Sequence, residues 1–248
     1  MLKKWEDLPR ELRNKEVKKY YDILITRKKS IVLKRIFDFV VACIALFILL
    51  PVFIIISILI KIDSKGPIFY KQTRVTQYGK RFKILKFRTM VNHADKIGPQ
   101  ITTYNDDRIT RVGKLLRRLK LDEIPQLINI ILGDMSFVGT RPEVIKYVEK
   151  YTPEMMATLL LPSGVTSEAS IQYRNEELLL ESVDDVDKIY IQEVLPKKME
   201  YNLKSIEKFS FFGDIKIMIR TLFILITKGK STKVGTKVSK TDKSEVSM

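Results

Sequence analysis

The stretch Phe39–Ile60 reads FVVACIALFILLPVFIIISILI, and the interpretation of the whole chain starts from it. None of its residues is charged, and a straight helix of this length would cross the roughly 30 Å hydrocarbon core of a bilayer. Pro51 lies near its middle, where proline removes a helix hydrogen bond and clashes with the preceding turn. We therefore predict a membrane helix that is kinked or broken at Pro51.

Basic residues stand on both sides of this stretch and bear on its topology. They are Arg27, Lys28, Lys29, Lys34 and Arg35 before it and Lys61, Lys65, Lys71 and Arg74 after it. Because Lys and Arg near the ends of a membrane segment favour the cytoplasmic side, residues 31–62 are predicted to enter the membrane and return to the same face as a re-entrant hairpin. A spanning helix that tolerates Pro51 and a wholly buried core helix are the alternatives.

The composition narrows the classes of chemistry. The 248-residue chain has 45 Lys and Arg against 29 Asp and Glu, a net charge of +16. This charge predicts anionic partners, namely phospholipid head groups, nucleic acid or phosphorylated substrates. The single cysteine, Cys43, excludes an internal disulfide and a cysteine-rich metal site, and the single histidine argues against a histidine triad. Catalysis would then depend on carboxylates, Lys, Arg, Ser or Tyr.

The chain reads as one catalytic domain with terminal extensions. No linker rich in Gly, Ser or Pro divides it, so the catalytic domain is predicted over residues 63–227. Residues 1–30 combine charge with apolar residues at helical spacing, which predicts a helical extension on the surface or the membrane. Apolar stripes from Met199 to Thr227 predict an interfacial amphipathic helix. Residues 228–248 have almost no apolar content and are predicted to form a disordered basic tail.

Within the catalytic domain, local patterns predict a mainly helical α/β fold with one small β-hairpin. Aromatic and β-branched runs at Pro67–Val75 and Phe82–Phe87 flank a Gln-Tyr-Gly turn signal, which is typical of a hairpin. Thr110–Leu119 has helical periodicity. A second helix is expected to start near Asp122–Pro125, where an acidic residue and Pro suit a first turn, and to stop at Gly133.

The stretch Arg117–Leu127, RRLKLDEIPQL, sets two adjacent carboxylates between a basic cluster and a helix start. A carboxylate can attack phosphorus and form an acyl phosphate when cations neutralise the phosphate oxygens. Asp122 and Glu123 could divide this work as nucleophile and metal ligand. Mg²⁺ suits such a site, because it binds through one or two carboxylates plus substrate phosphates. Taken alone, however, such a pair is more often the N-terminal cap of the following helix.

From about Lys34 to Thr221 the chain resembles the bacterial sugar transferases known as monotopic phosphoglycosyl transferases. Each matching piece is weak alone, and the resemblance depends on their order after a Pro-broken membrane segment. The pieces are KRIFDF, GPIFYKQTRV, KILKFRTM, DDRITRVGKLLRRLKLDEIPQL, GDMSFVGTRP and FFGDIKIMIRTL.

The resemblance implies an enzyme of the bacterial inner membrane with its catalytic domain on the cytosolic face. Such an enzyme transfers a sugar-1-phosphate from a UDP-sugar to polyprenyl (undecaprenyl) phosphate and releases UMP. This is the initiating step of a cell-surface glycan pathway, such as capsule, O-antigen, exopolysaccharide or glycoprotein. On this reading Asp122 attacks the β-phosphate and becomes phosphoglycosylated, while Glu123 helps to hold Mg²⁺.

The resemblance also implies roles for basic residues. Arg117 and Arg141 match positions that steady phosphates, where a bidentate guanidinium binds better than Lys. Lys86, Arg88 and Arg174 are further candidates, with ordinary surface or lipid-facing charge as the alternative. Membrane phospholipids are expected partners, nucleic acid is not, and self-association into a homo-oligomer is compatible with the sequence.

Departures from the family pattern leave the identity of the sugar open. Leu50 stands where relatives have Ser before the membrane Pro, and Ser163–Glu177 differs near the expected sugar or uridine pocket. A non-catalytic membrane anchor for glycan-assembly enzymes is the alternative function, but an anchor would need no particular carboxylate pair. A membrane-tethered nucleic-acid binder rests on the net charge alone, and the sequence contains no recognised nucleic-acid module.

Overall fold

The computed structural model describes residues 2–92, 94, 106–174, 176 and 185–227. Helices dominate this part of the chain, and two small two-stranded sheets accompany them. The predicted mixed fold, mainly helical with a small hairpin, is therefore confirmed. The basic tail predicted over residues 228–248 lies outside the described residues.

The N-terminal extension is helical, as predicted, and it is packed into the core. Short 3₁₀ turns at Trp5–Asp7 and Arg10–Leu12 lead into helix α1 (Lys15–Thr26). Asn14 caps α1 by accepting a hydrogen bond from the Val17 amide at 2.8 Å. One face of α1 is buried against the 3₁₀ segment Met155–Leu160 and against the helix Leu195–Glu207. The extension thus forms part of the catalytic domain's core.

The apolar stretch forms two helices, α2 (Lys28–Ile48) and α3 (Leu50–Asp63), which are bent by 61° relative to each other. Pro51 lies in the first turn of α3, where its missing N–H group costs no helix hydrogen bond. The predicted break at Pro51 is confirmed. Among the described residues neither helix alone has the length and apolar character to span a membrane, although the bent pair together does.

The predicted hairpin is present as strands β1 (Phe69–Val75) and β2 (Arg81–Phe87), paired antiparallel with Phe69 opposite Phe87. A 3₁₀ turn with Tyr78 at φ 60° joins them. A second sheet, which the sequence did not predict, pairs β3 (Met135–Val138) parallel to β4 (Ser163–Thr166). It brings the segment after β3 next to β4.

Helices α4 (Arg111–Arg118) and α5 (Gln126–Leu132) follow the hairpin. Thr110 caps α4 through a 3.0 Å bond from the Gly113 amide, and α5 ends at Gly133 with φ 86°, so both predicted boundaries are confirmed. The start of the second helix was predicted slightly early. Residues 121–123 form a separate 3₁₀ turn before α5.

In the described part of the C-terminal half lie helices α6 (Ile145–Val148), α7 (Glu168–Gln172), α8 (Val186–Ile189), α9 (Leu195–Glu207) and α10 (Phe211–Ile226). The single amphipathic helix predicted from Met199 to Thr227 was wrong in one respect, because it is divided between α9 and α10. Ser210 explains the division. Its Oγ accepts a 3.0 Å bond from the Gly213 amide and so starts a new helix.

Polar residues of the KRIFDF motif fasten α2 to the catalytic domain. Arg35 donates to the carbonyls of Ile130 and Ile131 at 2.6 and 3.0 Å, which satisfies the C-terminal end of α5. Lys34 forms an ion pair with Asp214 of α10 at 2.7 Å. Asp38 accepts a 2.6 Å bond from a β3 serine. The apolar helix is therefore held against the elements that carry the candidate site.

Candidate active site

Asp122 and Glu123 lie in the 3₁₀ turn Leu121–Glu123, between α4 and α5. Lys120, which precedes the turn, adopts the left-handed conformation with φ 56°, and this costs a residue with a Cβ on the order of 1 kcal/mol. The reversal ends α4 and turns the chain so that Asp122 is only 8% exposed. Strain of this kind is common at functional sites, where the surrounding structure enforces it.

A side-chain bridge fixes the carboxylate turn against the hairpin. Asn129 of α5 accepts from the Leu85 amide and donates to the Lys83 carbonyl, both at 2.9 Å. The Asn129 side chain thereby pairs with backbone groups of β2 in the way that a neighbouring strand would. This contact brings Lys86, the next residue of β2, beside Glu123.

Glu123 is clamped by two cations. Its Oε1 accepts from Lys86 Nζ at 2.8 Å and from Arg141 Nη2 at 2.6 Å. Burial alone would raise the pKa of the Glu123 carboxyl, but the charges and hydrogen bonds of Arg141 and Lys86 outweigh it and hold the pKa well below its usual range. The same pairing raises the pKa of Arg141. Glu123 is therefore ionised, and Arg141 is held in the site by a charge-assisted bond.

Asp122 has the opposite environment. Its Oδ1 is buried and has no hydrogen-bond partner among the described residues. Burial raises the pKa of Asp122 despite the nearby positive charge of Lys86, and the negative charge of Glu123 raises it further. Two adjacent carboxylates with environments this different are suited to different tasks. The negative charge of Glu123 is balanced by two cations that also fix its side chain, whereas Asp122 keeps an unengaged oxygen that can act on an electrophile.

Arg117 also reaches this cluster. It extends from the last turn of α4, and its Nε donates to Thr89 Oγ1 at 2.8 Å. It is one of the positive charges that oppose the burial of Asp122 and lower its pKa. The structure thus brings together Asp122, Glu123, Lys86, Arg141 and Arg117 from four separate parts of the chain.

The structure places three other predicted residues elsewhere. Arg88 is 5% exposed and donates to Ser64 and to the Lys65 carbonyl at 2.6 to 3.0 Å, so its guanidinium closes the C-terminal end of α3. Arg174 is exposed in the turn after α7 and makes no hydrogen bond to the cluster in the described part of the chain. Pro51 lies at the bend between α2 and α3.

Gln126, the first residue of α5, is a buried polar residue to which the sequence pattern gave no role. It is 1% exposed, and neither its amide nitrogen nor its amide oxygen has a hydrogen-bond partner among the described residues. Buried amides are normally paired, and leaving one unpaired costs free energy. Gln126 follows Asp122 by four residues, a spacing that places two side chains on one face of a helical turn. The sequence feature that could have drawn attention to Gln126 is therefore its spacing from Asp122 in Asp-Glu-Ile-Pro-Gln.

The carboxylates fit a cation that arrives with a phosphorylated substrate. In the ranges that the structure describes, no group of three or more Asp, Glu, His or Cys side chains could hold a metal by itself. Mg²⁺ does not need such a group, because it keeps waters and takes phosphate oxygens as ligands. The unpartnered Asp122 Oδ1, and Glu123 Oε2, which accepts from neither Lys86 nor Arg141, are the acceptor atoms on hand.

Known proteins that are similar in sequence include enzymes that transfer sugar phosphates. The sequence model of the family described as "Bacterial sugar transferase" matches residues 29–228. A UDP-glucose:undecaprenyl-phosphate glucose-1-phosphate transferase of Escherichia coli (strain K12) is 38% identical over 77% of this chain and 39% of its own length. An enzyme of the same name from Caulobacter vibrioides is 35% identical over 78% of this chain and 70% of its own.

A third relative carries a different sugar in its name. The UDP-N-acetylgalactosamine-undecaprenyl-phosphate N-acetylgalactosaminephosphotransferase of Aeromonas hydrophila is 32% identical over 79% of this chain and 44% of its own length. This chain therefore spans about two fifths of the length of the E. coli and Aeromonas relatives.

The cation clamp on Glu123 predicts a specific pattern of stability. Glu123→Gln removes the negative charge that balances Lys86 and Arg141. The two cations then repel each other without compensation, so the free energy of unfolding should fall by about 2 kcal/mol. Adding Lys86→Met should recover roughly half of that loss, because one of the two unbalanced cations is gone. Thermal unfolding of the purified protein measures both effects. Glu149→Gln, at an exposed position, is the control and should change stability by less than about 0.5 kcal/mol. Additive losses in the double variant would contradict the clamp.

Proposed function

Because the chain belongs to the bacterial sugar transferase family, we propose that it transfers a sugar-1-phosphate from a UDP-sugar to polyprenyl (undecaprenyl) phosphate and releases UMP. The observation that carries the proposal is the contrast between the two adjacent carboxylates. Glu123 is ion-paired to Lys86 and Arg141, whereas Asp122 has a buried oxygen that no described residue partners. A phosphoryl-transfer site with a carboxylate nucleophile needs this combination of neutralising cations and one unengaged oxygen.

In the first step, an oxygen of Asp122 attacks the β-phosphorus of the UDP-sugar. The new bond joins that carboxylate oxygen to phosphorus, and the bond from phosphorus to the bridging oxygen of UMP breaks, so UMP leaves with the electron pair. Arg117 and Arg141 are placed to neutralise the phosphate oxygens during this step. Arg141 can turn part of its donor fork from Glu123 to the substrate, since guanidinium has five donors and uses one nitrogen for Glu123.

In the second step, a phosphate oxygen of the polyprenyl phosphate attacks the same phosphorus. The acyl phosphate bond breaks, and Asp122 regains its carboxylate. The product is a polyprenyl diphosphate sugar, the lipid-linked starting unit of a cell-surface glycan. Lys86 keeps Glu123 charged and in place through both steps.

Mg²⁺ is proposed as the cofactor, held by Glu123 together with the donor phosphates. When bound, it would neutralise phosphate oxygens and stabilise the leaving UMP. Glu123 would use Oε2, since Oε1 accepts from Lys86 and Arg141. The ligand set is small, as is usual for Mg²⁺ at phosphate-transfer sites.

A catalytic role accounts for the site better than the alternative, a non-catalytic anchor. An anchor needs an apolar surface and basic charge, and neither requires a buried Asp122 oxygen without a partner. Such an atom costs folding free energy, typically about 1–3 kcal/mol. The cost is understandable when the oxygen is the reacting group.

Membrane attachment through α2, α3 and α10 is part of the proposal. Large apolar side chains on these helices are strongly exposed: Phe47 by 80%, Ile62 by 78% and Phe212 by 78%. An apolar surface of this size on three neighbouring elements is suited to the acyl region of a bilayer. We propose that the bent pair enters the cytoplasmic membrane from the cytosolic face and returns, while α10 lies in the interface.

The donor is proposed only as a UDP-sugar. The named relatives differ in their sugar, glucose in two and N-acetylgalactosamine in one. Segment 163–177 departs from the family pattern, and Asn175 and Glu177 of it lie outside the described residues. A panel of UDP-sugars with Mg²⁺ and polyprenyl phosphate, read by UMP release, would identify the donor.

The nucleophile assignment predicts a trapped intermediate. Enzyme given its UDP-sugar and Mg²⁺ without polyprenyl phosphate should release UMP and gain the mass of one sugar phosphate on Asp122. Asp122→Asn keeps the size of the side chain but removes the attacking oxygen, so adduct and turnover should both vanish. Intact-protein and peptide mass spectrometry measure the adduct.

The control for that variant is Asp22→Asn on α1, where the carboxylate is exposed and paired only with Lys18 at the surface. It should keep adduct and turnover at the wild-type level. Undiminished turnover in Asp122→Asn, or an adduct that maps to Glu123, would show that the roles are wrongly assigned.

The re-entrant topology predicts that both ends of the bent pair face the cytosol. Lys29 and Lys65 suit cysteine labelling because both are exposed, whereas Lys34 is buried in its ion pairs. In a Cys43→Ala background, neither Lys29→Cys nor Lys65→Cys should react with an impermeant maleimide added to intact spheroplasts, and both should react after lysis. Labelling of one position alone would establish a spanning helix. Release of the protein from membranes by alkaline carbonate would instead favour a buried core helix.

A further inference from the structure

A second cluster of buried ionisable groups lies behind Arg141. Tyr190 Oη donates to Glu143 Oε1 at 2.6 Å, and Lys198 Nζ donates to Tyr190 Oη at 2.9 Å. Lys198 also lies 3.5 Å from the same Glu143 oxygen. These side chains are 6%, 3% and 5% exposed for Glu143, Tyr190 and Lys198. None of them contacts Asp122 or Glu123 in the described structure, so the proposed chemistry does not use them.

The cluster holds the segment that carries Arg141. Glu143 follows Arg141 by two residues, and its backbone carbonyl accepts from the Val75 amide of β1 at 3.0 Å. Arg74 Nη1, also on β1, donates to the Pro142 carbonyl at 3.2 Å. The segment is thus fastened to β1 by its backbone and to the C-terminal helices by the Glu143 side chain. Arg141 lies between these attachments and Glu123.

The cluster also reaches the segment that follows α7. Lys198 Nζ lies 3.0 Å from Glu176 Oε2, and Glu176 follows the turn after α7. A single buried ammonium group therefore joins Glu143, two residues after Arg141, to Glu176, which follows the turn after α7. Lys198 thus ties the Arg141 segment to a second part of the fold.

Helix geometry explains how Tyr190 and Lys198 meet. Eight residues separate them, and eight residues of regular α-helix would turn the second side chain about 80° away from the first. Between α8 and α9, however, Tyr190–Val194 form a π turn in which the Leu195 amide donates to the Tyr190 carbonyl. The wider turn absorbs about one residue and leaves the two side chains only about 20° apart.

Pro196 gives a reason for the π turn. Proline has no N–H group for the regular helix bond, and its ring clashes with the carbonyl four residues earlier. A local π turn relieves both problems, and such turns are frequent at functional sites. The sequence therefore contains a feature that costs helix regularity and aligns Tyr190 with Lys198.

We propose that Lys198 is a positioning residue for donor recognition, which acts through Tyr190 and Glu143 on Arg141. This inference rests on the proposed function, because Arg141 is taken to bind the donor phosphates. A buried charged network is expensive, and well-packed apolar residues often give equal or greater stability. Its position beside the segment that carries Arg141 points to a role beyond stability.

The variants Tyr190→Phe and Lys198→Met test the proposal, because the kinetics of the donor and of the acceptor can be measured separately. Tyr190→Phe keeps the aromatic ring but removes the hydroxyl that donates to Glu143. Lys198→Met keeps a side chain of similar length but removes the ammonium group that lies near Glu143. The catalytic efficiency kcat/KM for the UDP-sugar should fall roughly 5- to 30-fold, as expected for a change along a coupled network. The corresponding kcat/KM for polyprenyl phosphate should change less than about twofold. Unchanged donor efficiency in both variants would overturn the proposal.

Tyr147→Phe is the matched control. The Tyr147 hydroxyl donates to Asp187 Oδ1 at 2.6 Å, the length of the bond from Tyr190 to Glu143, and its ring is 4% exposed with its centroid 4.6 Å from that of Tyr190. It has no link to Glu143 or Lys198 through its hydroxyl in the described structure. Donor efficiency should therefore stay within about twofold of wild type. Equal losses in Tyr147→Phe and Tyr190→Phe would show that the cluster acts only through general stability.

Hydrogen–deuterium exchange separates a failure of this inference from a failure of the proposed function. Peptides that cover residues 139–143 should exchange faster in Tyr190→Phe than in wild type or Tyr147→Phe. Wild-type protein that releases no UMP from any UDP-sugar would refute the proposed function, while the exchange data would still decide whether the cluster holds the segment. Identical exchange in all three proteins would refute the positioning role even if turnover is normal.

Discussion

The ion pairs of Glu123 with Lys86 and Arg141 are the interaction on which the site depends. They join the 3₁₀ turn after α4, the end of β2 and the segment after β3, which are far apart in sequence. Glu123 satisfies both cations, and Oδ1 of the neighbouring Asp122 has no hydrogen-bond partner in the part of the chain that the structure describes. The arrangement thus sets apart two chemically similar residues. One anchors the positive charge, and the other keeps an oxygen available for attack.

The apolar helices α2 and α10 support this arrangement. Arg35 holds α2 to the end of α5, and Lys34 holds it to α10 through Asp214. Asn129, on that same α5, fixes the hairpin that carries Lys86. The apolar helices and the carboxylate turn are therefore parts of one connected structure. The proposed reaction between a water-soluble nucleotide sugar and a lipid phosphate would require such a connection.

Features with local causes could be predicted from the sequence. The break at Pro51, the hairpin turn, the helix within Thr110–Leu119 and the stop at Gly133 each follow from one residue or one short pattern. The parallel pairing of β3 with β4 could not be predicted, because it depends on a contact between distant segments. Arg88 and Lys86 illustrate the same limit for the site. Both are basic residues of the KILKFRTM motif, but Arg88 follows the last strand residue and turns to α3.

The most direct test of the central claim is exchange of labelled UMP into the UDP-sugar without polyprenyl phosphate. If Asp122 forms a covalent intermediate, the first step is reversible without an acceptor. Wild-type enzyme with Mg²⁺ should then incorporate the label into the UDP-sugar. Absence of exchange, in an enzyme that turns over normally once polyprenyl phosphate is added, would mean that the lipid phosphate attacks the donor directly and would contradict the account.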